Sequence, residues 1–493
     1  MTADGVTRPE HVVVAGGGIA GLTAAFRLSQ AGVDVTVVEP DRLGGKLQTS
    51  LFAGRPVDET ADAFLLRVPW ALALCHDLEL DGELISPAAR SAQVFVDGVR
   101  RPLPDGQMLG VPTDLDALAR SGLVSAAAVA RVAAELDLPA DPADPGVIGS
   151  DVAIGPYLRR RLGDEVVDHL IDPLVGGINA GDTTFLSLAA VVPQLDAAAR
   201  SGDPSLIRSC QAQRERAQAA GDPAAPIFAT PIGGMARLVD ALLGFMPGVD
   251  FRTGCRVTAI ELSAEFGAVG SESTSIRRQQ TARVTLSDGA VLDTDAVVLA
   301  VPAHVAAPLL ADLAPEASAT LAGLAHSSIS MLTLAFDHGA LAPDPAMSGC
   351  LVPRDQGLLV TAISYATSKW AQLQDPATDD VILRVSAGRF GDDRHLDLDD
   401  ADLTERVLTD LDRILGATAA PTEVRVGRWP RSFPQYAPGH LDRIDALEAS
   451  LAGLPIVLAG AALRGVGVPA CIHTGEQAAA RLGATWPTRR SLT

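Results

Sequence analysis

The sequence predicts an α/β fold, α+β overall, in which a parallel sheet is accompanied by an antiparallel sheet and a helical subdomain. Three observations indicate this. The chain opens on the apolar run HVVVA, which leads through a glycine turn into an Ala-rich helix. Near the other end, LPIVLAG begins the same order of strand, glycine turn and helix. In between, strand-like runs alternate with one long amphipathic pattern, which is typical of an antiparallel sheet with a helix packed on it.

The first glycine turn has the spacing of a dinucleotide-binding loop. Gly16, Gly18 and Gly21 form G-x-G-x-x-G directly after the apolar run 12–15. In this pattern the first glycine permits a tight turn, the second lets the backbone approach a pyrophosphate, and the third lets helix and strand pack closely. Glu39 ends the next apolar run, about 20 residues further on, where a carboxylate binds a ribose diol. We therefore predict a dinucleotide site, with NAD and FAD both open.

A second glycine pair follows Glu39 in the segment RLGGK, which contains Gly45 and Lys46. We interpret it as a loop that passes close to the ribose and diphosphate, for which a single-domain NAD enzyme has no need. The only lysines of the chain are Lys46 and Lys369, so arginine supplies nearly all of its positive side chains. This segment favours FAD.

Composition limits the classes of protein that remain. A chain of 493 residues exceeds a single core, so we expect two or three domains. Its net charge of -21 argues against nucleic acid or anionic lipid as partners of the whole surface. The five cysteines are widely spaced without C-x-x-C, and no histidine pair has metal-ligand spacing, so no metal site is predicted. Reduced cysteines and a cytoplasmic location are the simpler reading.

No targeting or membrane segment is predicted. The segment MTADGVTRPE lacks the basic start and apolar stretch of a signal peptide. The longest apolar stretch, 296–311, is interrupted by Pro302, His304 and Pro308 and is too short to span a bilayer. We therefore expect no transmembrane anchor, and leave peripheral membrane contact open.

The middle of the chain is predicted to hold two further units. From 72 to 206 the apolar residues recur mostly at three- and four-residue intervals, which favours a packed helical subdomain. Residues 305–440 contain the strand-like runs SMLTLAF, GLLVTAISY and DVILRVSAG and the helical run DADLTERVLTDLDRILG. We predict a discontinuous dinucleotide-binding domain over 1–71, 226–304 and 441–493, a helical subdomain over 72–225 and a substrate domain over 305–440. Within the first domain, Asp288-Gly289 marks a hairpin turn, and the small polar segment 264–281 a hairpin loop.

With these motifs in place, the chain resembles the glutathione-reductase-like FAD proteins of the amine oxidase group. Within that group it is similar to the oxygen-dependent protoporphyrinogen and coproporphyrinogen III oxidases, because four further segments match theirs over nearly the whole chain. Amine oxidases and carotenoid desaturases share the first and last motifs of the chain, but we do not recognise the middle three in them. The matching residues are Pro173, Leu174, Gly176, Gly177, Ile178, Gly181 and Asp182; Ser368, Lys369 and Trp370; Arg428, Trp429, Pro434, Gln435, Tyr436, Gly439 and His440; and Arg464 to Pro469 with Cys471 and Ile472.

The resemblance implies FAD as the cofactor and assigns contacts to it. One departure concerns Thr60, where members of the family usually have glycine, so the backbone angle of that turn is in question. We expect a structural corner, and not a catalytic group, at Lys369 and Trp370. The implied FAD contacts are Gly16, Gly17, Gly18, Ile19, Ala20, Gly21, Glu39, Pro40, Gly45, Lys46, Thr60, Ala61, Asp62, Ala63, Val257, Trp429, Val466, Gly467 and Val468.

The resemblance also implies the chemistry. Hydride passes from a bridge carbon of the porphyrinogen to flavin N5, three times over, and oxygen reoxidises the flavin to give hydrogen peroxide. No catalytic side chain is required. Arg67 and Asn179 are the substrate-side candidates, since an arginine fork suits a propionate carboxylate. The partners implied are the porphyrinogen and oxygen, with a chelatase of the heme pathway left open.

Three alternatives remain at this point. An acidic chain without an anchor suits coproporphyrinogen III, a tetra-anion, better than the more apolar protoporphyrinogen IX. The chain could instead be a flavin amine oxidase or carotenoid desaturase, or an inactive homologue that binds a partner of the heme pathway. These alternatives are distinguished by the substrate that reduces the bound flavin.

Overall fold

A five-stranded parallel sheet forms the centre of the computed structural model, which describes residues 9–139, 142–220, 226–266, 278–337, 339–341, 346–375 and 377–486. The predicted hairpin loop 264–281 was wrong at both ends, because 264–266 and 278–281 belong to strands Val257–Phe266 and Arg278–Leu286, which pair with each other. The remaining loop residues, 267–277, lie outside the described ranges. The sheet collects its strands from both ends and the middle of the chain, all parallel, in the order Asp250–Thr253, Asp34–Glu39, His11–Ala15, Ala296–Leu299 and Ile456–Leu458.

Helices cover both faces of this sheet, as the continuous apolar strands require. Val12 and Val14 point into one core, which includes helices Pro69–Asp77, Ala236–Gly244, Ile19–Gln30 and Val468–Arg481. Val13 and Ala15 point into another, formed by helices Ala303–Leu309, Pro315–Ala322 and His440–Ser450. An antiparallel sheet of Val257–Phe266, Arg278–Leu286 and Val291–Thr294 joins the second core. The parallel sheet predicted from the glycine motifs is thus confirmed.

The second large sheet of the molecule has seven strands. Its strands run in the order Glu423–Pro434, His326–Phe336, Val381–Ala387, Val360–Tyr365, Met347–Leu351, Ser91–Val96 and Val99–Pro102. Neighbours are antiparallel except Met347–Leu351 with Ser91–Val96. Helix Asp400–Leu415 packs on one face through Leu403, Val407 and Leu411, as its amphipathic pattern predicts. The opposite face points toward the parallel-sheet domain, because Arg425 donates to Ser50 and to Val57 O.

The helical pattern of 72–206 missed several strands. Ser91–Val96 and Val99–Pro102 extend the seven-stranded sheet, although we expected this stretch to be mostly helical. Leu84–Ile85 joins Phe64–Leu65 and Phe228–Pro231 in a small sheet, and Gln107–Met108 pairs with Val111–Pro112. Thr49–Phe52 pairs with Arg55–Asp58. Such short runs lack a measurable period, so their neighbours in space decide their structure.

The rest of 72–220 is helical and has its own core. A π-helix, Val167–Gly176, contains Pro173 and leads into the GGINAG turn. The α-helices of this region are Leu115–Ser121, Ala126–Glu135, Pro145–Ile148, Ile154–Leu162, Asp164–Val166, Gly177–Asn179, Leu188–Val191, Pro193–Ala199 and Leu206–Ala220. Short helices elsewhere are Asp81–Glu83, Arg354–Gln356, Ala366–Lys369, Ala371–Leu373 and Arg394–Leu396. Within the described ranges, no helix has the length and apolarity needed to cross a membrane.

Candidate active site

The first glycine loop adopts the backbone that its spacing predicts. Gly16 has φ of +105°, and a Cβ there would lie 2.6 Å from Ala300 O. A Cβ at Gly21 would overlap Gly16 O, so helix and loop touch at this point. A Cβ at Gly18 would meet nothing within 4 Å, which means that the loop faces open space there. Ile19 and Ala20 are buried and begin the helix.

Two uncapped helix N-termini lie in this part of the molecule, on helices that pack against each other. Gly18 precedes helix Ile19–Gln30 and Gly467 precedes helix Val468–Arg481, and neither N-terminus has a side-chain cap. The helices pack in close contact, because a Cβ at Gly475 would overlap Ala20 O. Their free N–H groups and positive dipole ends make this a place for an anion. The predicted contacts Val466, Gly467 and Val468 lie at the second of these ends.

Glu39 and the second glycine pair both hydrogen-bond to the first glycine loop. Gly17 N donates to Glu39 Oε2 at 2.7 Å, and Asp41 N donates to Oε1 of the same carboxylate at 3.0 Å, beside the exposed Pro40. Gly44 N donates to Gly17 O at 2.7 Å, while Gly45 has φ of +57°. The RLGGK segment therefore lies directly against the dinucleotide loop, where we predicted it.

Lys46 connects this loop to the seven-stranded sheet. Its Nζ donates to Ser432 O at 2.7 Å. The side chain is exposed to the open cleft, yet protein surrounds the cleft closely enough that burial lowers the pKa of Lys46. Cys471, on the first turn of the C-terminal helix, is near enough for its thiol to feel the lysine charge. The Lys46 amino group thus lies where the first glycine loop, the C-terminal helix and the seven-stranded sheet come together.

The 60–63 turn is held by the sheet. Thr60 Oγ1 donates to Lys46 O, and Thr60 is not among the described residues with positive φ, so threonine fits where glycine is usual. Asp62 accepts from Lys369 Nζ at 2.9 Å and Trp370 Nε1 at 3.2 Å, and pairs with Arg384 at 3.1 Å. Burial raises the pKa of Asp62, but the charges of Lys369 and Arg384 outweigh it and hold this pKa below its usual value. Ala61 and Ala63 are half-buried beside it.

Val257 and Trp429 lie on different sheets. Val257 is buried in the same core as Val38, where it begins its strand. Trp429 pairs in register with Ile329 on the seven-stranded sheet, three residues before Ser432. Its Nε1 is buried and has no hydrogen-bond partner among the described residues. A buried indole N–H normally has an acceptor, so Trp429 Nε1 fits contact with a bound ligand.

The Pro-Gln-Tyr and Gly-His motifs hold the C-terminal glycine loop. Tyr436 Oη donates to Ala461 O and accepts from Gly465 N at 3.0 Å. The ring of His440 stacks on Tyr436 with centroids 4.0 Å apart, and its Nε2 is 2.7 Å from Leu463 O. These two side chains therefore set the path of the loop that precedes Val468. Sequence reasoning matched the motif but assigned neither residue this role.

The sequence analysis missed a cluster near Lys46 that contains Arg431, His304 and His326. Arg431 has φ of +47° at the sheet edge, and its N donates to Ser328 Oγ at 3.0 Å. His304 and His326 meet edge to face with centroids 5.3 Å apart. Burial, together with the nearby charges of Arg431 and Lys46, lowers the pKa of His326 to about 4. Both imidazoles are thus neutral at pH 7, since the pKa of His304 is lowered by burial as well. No spacing in the sequence predicts that His304 lies near Arg431. The only sequence feature that pointed to Arg431 was its position close to the Arg428-Trp429 motif.

A cavity lies between the GGINAG turn and the open face of the seven-stranded sheet. It holds about 590 Å³ of empty space, part of it open to solvent. Its lining is mainly apolar side chains and turn backbone, with Asp172, Thr361, Ser386 and Arg389 as polar members. Phe433, next to the Ser432 that binds Lys46, forms part of the wall, so the cavity adjoins the glycine-loop cleft. The other lining residues are Pro173, Gly176, Gly177, Ala180, Gly181, Ile329, Met331, Val352 and Gly388.

The two predicted substrate residues do not line this cavity. Asn179 Nδ2 donates to Val175 O at 2.8 Å and its carbonyl accepts from Gln435, so it stabilises the turn that supplies Gly177 and Ala180 to the wall. Arg67 is exposed, just before helix Pro69–Asp77, and makes no ion pair with any described residue. Their roles as substrate contacts stay predictions.

The fold and the cleft define a FAD-dependent oxidoreductase. A dinucleotide needs an open glycine turn and free N–H groups for its diphosphate, and here Gly18 and two uncapped helices provide them. A flavin ring also needs a wall beyond the dinucleotide domain, which the strand of Ser432 and the orphaned N–H of Trp429 provide. The residues present therefore fit FAD.

Comparison with known proteins agrees. Residues 19–483 match the flavin containing amine oxidoreductase family. Coproporphyrinogen III oxidase of Mycobacterium tuberculosis is 36% identical, over 95% of this chain and 96% of its own length. That of Bacillus subtilis is 31% identical, over 95% and 97%. A crystal structure from Exiguobacterium sp. 255-15, provisionally named protoporphyrinogen oxidase, has a TM-score of 0.82 and 29% identity, covering 96% of this chain and 98% of its own. A putrescine oxidase at 18% identity, with a TM-score of 0.67, shares the fold.

The chain belongs to the flavin-containing amine oxidoreductases and, among them, to the family of the coproporphyrinogen III oxidases. The family predicted from the motifs, the fold class and FAD are confirmed. The individual FAD contacts and the domain boundaries stay predictions.

Proposed function

We propose that this protein oxidises coproporphyrinogen III to coproporphyrin III. The observation that carries the proposal is the likeness to coproporphyrinogen III oxidases over 95% of the chain, which takes in both glycine loops and the segments around the cavity. Bound FAD supplies a hydride acceptor. The oxidation removes two hydrogens in each of three rounds, and one oxygen molecule per round becomes hydrogen peroxide, so that atoms and electrons balance.

The residues of the chain hold the macrocycle and keep the reaction isolated. The apolar wall of Ile329, Met331 and Phe433 suits pyrrole rings, and it adjoins the glycine-loop cleft through Ser432 and Lys46. Lys46 Nζ places a hydrogen-bond donor at the cleft, where reduction adds negative charge. His304 and His326 are neutral and add no positive charge there.

The test gives the FAD-loaded protein each porphyrinogen in air and follows porphyrin fluorescence together with peroxide. Coproporphyrinogen III should be oxidised faster than protoporphyrinogen IX, and both faster than with the FAD-free protein. Turnover no faster than autoxidation would overturn the proposal. A preference for protoporphyrinogen IX would replace the substrate.

An anaerobic titration distinguishes the remaining alternatives. Coproporphyrinogen III should bleach the flavin absorbance, whereas putrescine and a carotene precursor should leave it unchanged. Bleaching by either of the latter would favour an amine oxidase or a desaturase. The use of oxygen, a cytoplasmic location and contact with a chelatase belong to the same proposal.

A further inference from the structure

The cavity beside the GGINAG turn contains an arginine without a counter-ion. Arg389 is 7% exposed and follows strand Val381–Ala387. Its Nη1 donates to Val352 O at 3.2 Å, while its Nε is buried without a partner. Among the described residues it forms no ion pair. A buried arginine almost always has a partner, so a site for an anion is left at this wall.

The nearby carboxylates are already engaged. Asp172 accepts from Thr183 N and Oγ1 and pairs with Arg354 at 3.2 Å. Asp392 pairs with Arg394 at 2.7 Å. Burial, together with the like charge of Arg354, lowers the pKa of Arg389 to about 10, so its guanidinium stays charged at pH 7.

The backbone fixes the position of this side chain. Gly388 has φ of +92°, and a Cβ there would overlap the ring of His395, whose Nδ1 lies 2.8 Å from Ser330 Oγ. Asp392 N donates to Arg389 O at 2.8 Å and closes a tight turn. Phe390 N donates to Ala180 O at 2.8 Å, which ties this turn directly to the GGINAG turn. Arg389 is therefore held rigidly at the wall.

We propose that Arg389 binds a propionate carboxylate of the porphyrinogen, with Ile329, Met331 and Phe433 against the ring that carries it. This rests on the proposed function and deepens it. A guanidinium fork binds a carboxylate through two parallel hydrogen bonds, and low exposure strengthens them. Arg354 is not a candidate, because Asp172 neutralises it and its remaining donors bond to Phe390 O and Gly181 O.

The experiment measures binding of coproporphyrin III and of its tetramethyl ester to FAD-loaded wild type, R389M and R389K by fluorescence. R389M should weaken binding of the acid about tenfold to hundredfold, the loss of one charged hydrogen-bonded contact, and leave the ester within about twofold. R389K should recover part of the loss. Arg406, exposed on the helix behind the sheet, gives the matched control R406M, which should bind both as wild type does.

The acid-to-ester ratio within one variant separates recognition from misfolding, since a damaged fold weakens both ligands alike. Equal losses for acid and ester, or no loss, would overturn the assignment, as would a wild type that binds neither. Because binding is measured without turnover, a wild type that binds the acid yet oxidises no porphyrinogen would sink the proposed function alone. In turnover, R389M should raise KM for coproporphyrinogen III more than it lowers kcat.

Discussion

At the scale of single residues, one hydroxyl connects the middle of the chain to the C-terminal loop. Tyr436 Oη bridges Ala461 O and Gly465 N, on either side of the bend before the C-terminal helix. Burial raises the pKa of Tyr436, so the hydroxyl keeps the proton it donates. Tyr436 of the Pro-Gln-Tyr motif thus stabilises the C-terminal loop, which lies outside the motif itself.

Removing that hydroxyl should loosen the loop. We expect Y436F to lower the free energy of unfolding by about 1–2 kcal/mol, because a half-buried carbonyl and N–H lose their partner. FAD affinity should fall severalfold, measured by flavin fluorescence on titration of the apoprotein. Y157F, at a buried tyrosine of the helical core, is the control and should leave FAD affinity unchanged. An equal loss of affinity in both variants would contradict this role.

Asp58 should make stability depend on pH. It accepts from Thr49 Oγ1 at 2.5 Å and from Met235 N at 2.8 Å, and burial raises its pKa to about 6. The ordinary value of about 3.9 applies to the unfolded chain. The folded state therefore binds the proton more tightly, so the stability from this group is complete below about pH 4. It is lost as pH rises through 6, by about 2–3 kcal/mol.

The variant D58N keeps an acceptor oxygen but does not ionise. The difference in unfolding free energy between D58N and wild type should rise in favour of the variant from pH 4.5 to 6.5 and level off above. Urea unfolding at four pH values checks this, with D442N, on an exposed helix position, as the control. A difference that stays constant over this range would show that Asp58 does not titrate there.

At the scale of elements, the packing of helix Ile19–Gln30 against helix Val468–Arg481 sets the positions of their N-termini at the cleft. A Cβ added at Gly475 would overlap Ala20 O and would lie 3.1 Å from Thr23 Cβ. We expect G475A to force these helices apart, which costs about 1–3 kcal/mol of stability and weakens FAD binding. G244A, in a helix where a Cβ meets nothing within 4 Å, should be neutral. Thermal unfolding with and without FAD measures both. Equal effects of the two substitutions would mean that the helix contact is not limiting.

The elements predicted well are those whose signal is local. The strand, glycine turn and helix at each end follow from spacing alone, as does the amphipathic helix Asp400–Leu415. Strand Ser91–Val96 escaped prediction because its place depends on pairing with Met347–Leu351, about 250 residues away along the chain.

The residues of the candidate site also fall into two groups, those that sequence spacing predicts and those that only the fold reveals. Glu39 and Lys46 could be assigned from their distance to the glycine motif. Arg389 could not, because what marks it is the lack of a carboxylate partner, and a partner is known only once the chain is folded. The contact between His304 and His326 likewise arises from the meeting of two domains.

At the scale of the whole molecule, the parts that surround the cleft come from three distant stretches of chain. The 16–21 loop and Lys46 come from the start, Trp429 and Ser432 from the seven-stranded sheet, and Val468 from the end. Side chains join these stretches directly as well, as Lys46 does with Ser432 and Asp62 with Arg384. A ligand that touches all three should therefore stabilise the whole fold and not a single loop.

FAD should accordingly raise the unfolding temperature of the entire molecule. A ligand that binds the folded state alone adds RT ln(1 + [L]/Kd), about 2.7 kcal/mol at a hundred times Kd. We expect the FAD-free protein to unfold at a lower temperature, and the midpoint to rise steadily with FAD concentration. Circular dichroism and tryptophan fluorescence should report the same shift, because Trp429 lies on the seven-stranded sheet while Trp70 and Trp486 pack against the parallel-sheet core. NAD, which shares only the adenosine diphosphate half, is the control and should give a much smaller shift. If NAD were equally effective, the flavin would contribute nothing beyond the glycine loop. If FAD left a separate unfolding transition at the midpoint of the FAD-free protein in either signal, the cofactor would stabilise only part of the fold and the cleft would not join the domains.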